Sequence, residues 1–205
     1  LDFFSQAQLA DPTNYVAFCN RMMSLHYASC FDHNKAKAMA QGAHWENVYE
    51  QPERRDREAA QPITIGYVSP DFVDHPVAIF LLPVLRSYSR KFFRVHCYST
   101  SARVMDSYTA AIVDSVDLFR SVGKFDLEKL RATIRQDKVD ILVDLSGHGA
   151  GNRLPLFSRR VAPVQISWLG YFGTTGIANM DYVLGDLVVS PSSEEERFCE
   201  KVIRL

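Results

Sequence analysis

Residues 139–153 read VDILVDLSGHGAGNR. Within ILVDL both alternations of an extended strand are apolar, the pattern of a strand covered on two faces, which belongs to parallel sheets. A glycine-rich loop follows at once, at the strand's carboxyl end. Counting 139–145 as a strand, similar β-rich runs lie at 63–69, 93–99, 164–169 and 182–184, and helical stretches at 76–88, 106–115 and 126–137 separate the early ones. This alternation predicts βαβ units joined by right-handed crossovers into a doubly wound, mostly parallel sheet, with its ligand edge at the carboxyl ends of the strands. The predicted class is α/β, Rossmann-like.

Upstream the pattern changes. Residues 1–50 are rich in Ala, Met, His and aromatics and carry a single proline, Pro12. Asp11-Pro12-Thr13 reads as a helix start, apolar residues then recur from Val16 to Leu25 at near-helical spacing, and a second helix is predicted over 34–48. The stretch 51–61, QPERRDREAAQ, holds six charges and no large apolar residue, so a solvated connector is expected there. The chain divides accordingly into a short helical segment with its linker, 1–60, and a Rossmann-like domain, 61–205.

Composition removes several classes of function. The 205 residues are 47% hydrophobic and 23% charged, as in an ordinary folded domain. Lys and Arg number 23 against 24 acidic residues, leaving a net charge of -1 and no cation surplus for a phosphate backbone, so no nucleic-acid partner is expected. The longest apolar run, 77–85, is nine residues long and contains Pro83, whereas a bilayer-spanning helix needs roughly 20 apolar residues. No membrane partner is expected either. Cys19, Cys30, Cys97 and Cys199 form no CxxC pair, and HExxH, Asp-x-Asp and zinc-spaced His/Cys clusters are lacking. A reduced, cytoplasmic setting (nucleocytoplasmic in a eukaryote) without a metal is expected. The chain opens on Leu1, and the true N-terminus is expected further upstream.

Three loops leave predicted strand ends and should meet at one edge. The first, Ser69-Pro70-Asp71-Phe72-Val73-Asp74-His75-Pro76, leads into a helix that begins at Pro76, a residue suited to the first helical position. His75 then lies at the N-cap, where the helix's partial positive charge favours a neutral imidazole able to accept a proton or bond a sugar. Asp71 is placed to fix its tautomer. Both residues suit a capping and turn-closing role equally well. The second loop, 146–153, has three glycines that allow close approach or offer backbone amides. It is not a dinucleotide fingerprint, since Asn152 stands where the third glycine is required. Its His148 is a secondary candidate, with a plain turn histidine as the simpler reading; His26 is another. The third loop, LGYFGTTG at 169–176, sets two threonine hydroxyls among three glycines, which suits sugar or phosphate oxygens.

IGYVSPDFVDHPVAIFL (65–81), ILVDLSGHGAGNRLPLFSRRVAPVQISWLGYFGTTG (141–176) and MDYVLGD (180–186) together resemble the N-terminal half of the catalytic region of the O-linked N-acetylglucosaminyltransferase family, which includes the SPINDLY-type O-fucosyltransferases. The resemblance runs from about residue 63 to Leu205 and keeps the motif order. It implies the first half of a GT-B glycosyltransferase, with a second Rossmann-like half that seats most of the nucleotide. It also implies upstream tetratricopeptide repeats joined to the catalytic region through 1–60, although no 34-residue repeat is detectable here. By the same resemblance His75 is the catalytic base or donor-orienting group with Asp71 behind it. Pro76 and the backbone of Leu169, Gly170 and Tyr171 line the donor pocket, and Thr174 and Thr175 lie close by. The reaction implied is inverting transfer of N-acetylglucosamine from UDP-GlcNAc to Ser or Thr hydroxyls of protein acceptors, with no metal or other cofactor. O-fucosyl or N-glucosyl transfer, or a binding module that has lost catalysis, are the alternatives. These 205 residues alone are expected to be inactive. Two departures stand out: Phe172 where many members have proline, which bears on sugar identity, and Asp74 where some have asparagine, which adds a negative charge beside His75.

Overall fold

The computed structural model describes residues 2–27, 32, 36, 37, 39, 40, 61–102 and 104–205. Two helices come first, α1 (Asp2–Ala10) and α2 (Tyr15–Leu25). Then follow β1 (Ile63–Ser69), α3 (Pro76–Ser87), β2 (Phe93–Ser99), α4 (Ser107–Ser115), β3 (Leu118–Ser121), α5 (Leu127–Gln136) and β4 (Ile141–Asp144). The last part holds a short α6 (Leu154–Phe157), β5 (Val164–Trp168), β6 (Tyr182–Gly185), a 3-10 turn at Ser192–Arg197 and β7 (Lys201–Arg204). Residues 36, 37, 39 and 40 of the predicted second helix are helical; its remainder and the charged stretch 51–60 lie outside the described residues.

All seven strands pair in parallel in the order β3-β2-β1-β4-β5-β6-β7. The chain builds outward from β1 to β3, returns to place β4 on the other side of β1, and continues outward to β7. This reversal makes a crevice above β1 and β4, the place where open α/β sheets bind ligands. Strand faces alternate between two cores. Tyr67 of β1, Cys97 of β2 and Val143 of β4 join the core under α3 and α4, whereas Val68, Tyr98 and Leu142 face α5 and α6. The doubly covered sheet expected of ILVDL is therefore present.

The helix starts follow capping chemistry. His75 caps α3 ahead of Pro76, Asp106 and Thr109 form a capping box on α4, and Asp126 accepts from the Lys129 amide at the start of α5. At α2 the cap is Asn14, whose side chain accepts from the Ala17 amide at 3.0 Å. Asp11 instead accepts from the amide and hydroxyl of Thr13 and closes the turn between α1 and α2, so the helix start expected at Asp11 moves three residues on. Phe18, Cys19 and Met22 of α2 are buried in the same core as β1, β2 and β4. Helix α2 thus packs as part of the Rossmann-like unit. Among the described residues no helix is long and apolar enough to cross a membrane.

Candidate active-site cleft

The first loop is fixed from below before it presents anything to solvent. Ser69 is fully buried and its Oγ accepts from the Asp71 amide at 2.9 Å. Phe72 is sunk in the core, its carbonyl accepting from the Thr109 hydroxyl at 2.7 Å, and the Asp74 amide donates to Asp106. This leaves Asp71 and His75 on the upper edge, four residues apart across one turn.

His75 Nδ1 accepts from the Val77 amide at 3.2 Å and lies 3.9 Å from Asp71 Oδ2. With its Nδ1 lone pair on the helix amide, neutral His75 carries its proton on Nε2 and acts as a donor. An Nδ1–H bond to Asp71 would need the pair to close by about 1 Å, to ordinary hydrogen-bond distance. That shift would bare Nε2 as a base. Asp71 is therefore the group that can select between a donating and an accepting His75.

The second loop is tied to β4 by Asp144, which is 1% exposed and accepts from the amides of Ser146 at 3.2 Å and Gly147 at 2.7 Å. Burial raises its carboxyl to about 6 against the pull of those amides. Gly147 has φ +50 and packs on Tyr171, where any Cβ would lie 2.2 Å from the tyrosine Cβ. In the third loop Gly170 is pressed on β4's exit, and a Cβ there would meet the Leu145 carbonyl oxygen at 1.9 Å. The two loops interlock through these glycines.

Together they enclose a cleft of about 690 Å³, within the range of small-molecule sites. Its walls are Asp71, His75 and Val77 from the first loop and α3, Thr100 to Ala102 after β2, Ser146 and 149–151 after β4, Gly170 after β5, and Met23 from α2. No lysine or arginine is among the described residues lining it. Hydroxyls, amides, one carboxylate and one imidazole suit a neutral, hydroxyl-rich ligand.

Of the residues expected here, His75, Asp71 and Gly170 line the cleft. Pro76 is exposed at the first position of α3, and Leu169, at φ +72, packs its side chain against the core under α3. Tyr171 is 5% exposed and turns away, its hydroxyl paired with His26 Nε2 at 2.7 Å. Thr174 and Thr175 are buried and give their hydroxyls to Glu200 rather than to the cleft. His148 is no exposed turn residue: it is 1% exposed, lies edge-on to Phe18 and Tyr171, and has Nδ1 3.4 Å from Cys19 Sγ. Burial lowers it to about 4 and keeps it neutral. His26, Tyr171, Phe172 and Thr174 instead border a second cavity of about 60 Å³ behind the third loop. Sequence reasoning missed Glu200 and Asp144; a carboxylate ending the apolar run ILVD was the available signal for the latter.

The profile of glycosyl transferase family 41 matches residues 20–205, nearly the whole chain. The chain belongs to this family. It is 34% identical over 203 residues to the probable UDP-N-acetylglucosamine–peptide N-acetylglucosaminyltransferase SPINDLY of rice, covering 95% of this chain and 22% of that protein. It is 32% identical over 143 residues to the UDP-N-acetylglucosamine–peptide N-acetylglucosaminyltransferase of Caenorhabditis elegans, covering 69% and 12%. Among solved structures, a mutant O-GlcNAc transferase of Thermobaculum terrenum superposes with a TM-score of 0.91 at 32% identity, over 98% of this chain and 39% of that one. The family 41 chain described here thus spans about a fifth of the length of its SPINDLY relative.

Proposed function

We propose that these residues form the first half of the catalytic region of an inverting protein glycosyltransferase, moving N-acetylglucosamine from UDP-GlcNAc to Ser or Thr hydroxyls of proteins. The observation that carries this reading is the His75–Asp71 pair at the edge of a hydroxyl-lined cleft over the β1/β4 crevice, in a chain of family 41. In a single displacement the acceptor hydroxyl attacks the anomeric carbon as UDP leaves, through an oxocarbenium-like transition state. His75 takes the hydroxyl proton when Asp71 holds Nδ1–H. When Nδ1 stays on the Val77 amide, Nε2–H orients the donor instead, and the hydroxyl proton passes to the phosphate of the departing UDP. The diphosphate needs cations that the described lining does not supply, and in this reading a second catalytic half brings them. No metal or other cofactor enters the scheme.

The test is made in the full-length protein. His75→Ala should lower kcat/KM for peptide glycosylation by at least about 10²-fold, the lower range for a positioned acid–base group, with the melting temperature changed little. Activity within a few fold of the parent would remove His75 from the chemistry. Peptide masses after incubation with a panel of nucleotide sugars identify the donor: fucose or glucose transfer would replace the N-acetylglucosamine assignment, and no transfer from any would leave the binding-module alternative.

A further inference from the structure

We propose that Glu200 is a positioning residue that holds the Gly170 wall of the cleft in place. The inference rests on the transferase reading above for its functional meaning and on the loop geometry for its structural content. Glu200, just before β7, is 5% exposed and spends both oxygens largely on one loop. Oε1 accepts from the Thr175 amide at 2.7 Å and from the Thr175 hydroxyl; Oε2 accepts from the Thr174 hydroxyl at 2.7 Å and from the Cys199 amide at 3.2 Å. All four donors are neutral. A buried carboxylate tolerates burial only while such donors satisfy it, so moving the loop strands a charge. The threonine hydroxyls pass the constraint along the chain, that of Thr174 accepting from the Gly176 amide and that of Thr175 from the Ile177 amide.

At its other end the loop is clamped by Gly170, wedged on the Leu145 carbonyl with its own amide donating to Trp168. Between the clamps stand Tyr171 and Phe172, the first packed on Gly147. Displacement at 174–175 has to be absorbed between 170 and 173, and of these residues it is Gly170 that forms the cleft wall. Thr174 and Thr175 thereby serve the site without touching its ligand, as the groups through which Glu200 acts.

The experiment compares the full-length parent with Glu200→Gln, which keeps the side chain's shape but turns an amide NH2 toward amide and hydroxyl donors. Hydrogen exchange at the amides of 169–172 should quicken at least tenfold while those of β1 stay unchanged. In steady-state assays KM for UDP-GlcNAc should rise at least tenfold with kcat within threefold, the signature of lost uniform binding. Thr175→Val, which removes one donor and keeps the carboxylate, should give the same pattern at smaller size, and it decides the matter if Glu200→Gln does not fold. Exchange that quickens only at 174–176 and 199, or evenly across the sheet, overturns the proposal. So does an unchanged KM in a variant with a quickened loop. A parent that transfers no sugar defeats the transferase reading alone, since the exchange experiment reads the loop without turnover.

Discussion

Asp144 and His148 sit four residues apart at the exit of β4, both almost wholly buried, and burial moves them in opposite senses. Raised from 3.8 to about 6, Asp144 contributes stability below pH 3.8 that is lost as pH rises through 6. Lowered from 6.5 to about 4, His148 contributes stability above pH 6.5 that is lost as pH falls toward 4. Each shift corresponds to about 3 kcal/mol at 1.36 kcal/mol per pKa unit. Within the same window the two cancel. Relative to the parent, Asp144→Asn should therefore lose stability between pH 6.5 and 4.5, and His148→Phe should gain it, each by roughly 2–3 kcal/mol in urea midpoints converted to free energy. Parallel pH profiles for all three proteins would show that the pair does not titrate in opposition. Gly147→Ala tests the interlock of the same loop. The left-handed backbone alone should cost about 1–2 kcal/mol, and displacing Tyr171 should add to it, read as a lower melting temperature.

α2 supplies Phe18, Cys19 and Met22 to the core shared by β1, β2 and β4. Phe18→Ala should therefore destabilise the whole unit by about 3–5 kcal/mol, a drop of roughly 10 °C in a single thermal transition. An independent appendage would instead melt separately and leave the sheet's transition in place. Legibility in the sequence followed how each element is buried. β1 and β2, covered on both faces, lie where their apolar runs place them, at Ile63–Ser69 and Phe93–Ser99. β3 and β7 escaped notice because they are the two edges of the sheet, four residues each, with one neighbour and mixed polarity. His75 was legible because Pro76 marks the helix start next to it. Thr174 and Thr175 pointed to a ligand because the partner of their hydroxyls, Glu200, stands 26 and 25 residues on and meets them only in the folded chain. His148 read as a turn residue because the Cys19 that helps bury it lies 129 residues away.

For the molecule as a whole, the lack of a lysine or arginine among the described lining residues has a direct consequence for the 205-residue chain by itself. Isothermal calorimetry with UDP should register no binding at ligand concentrations up to about 1 mM, a Kd equivalent to about -4 kcal/mol. Micromolar affinity would place the diphosphate on this half and reverse the division of labour proposed for the two halves. The strand order carries one more implication, for how such a protein is made. β1 pairs first with the nearby β2, but its other edge waits for β4, Ile65 meeting Ile141 only after a long intervening stretch has been synthesised. Such non-local pairing is slow, because the chain must surrender loop entropy before the contact rewards it. During translation the β1 edge stays open until β4 leaves the ribosome, and the seam where the cleft will form is the last part of the sheet's centre to close. Until then it is the site most exposed to misassembly and to capture by chaperones.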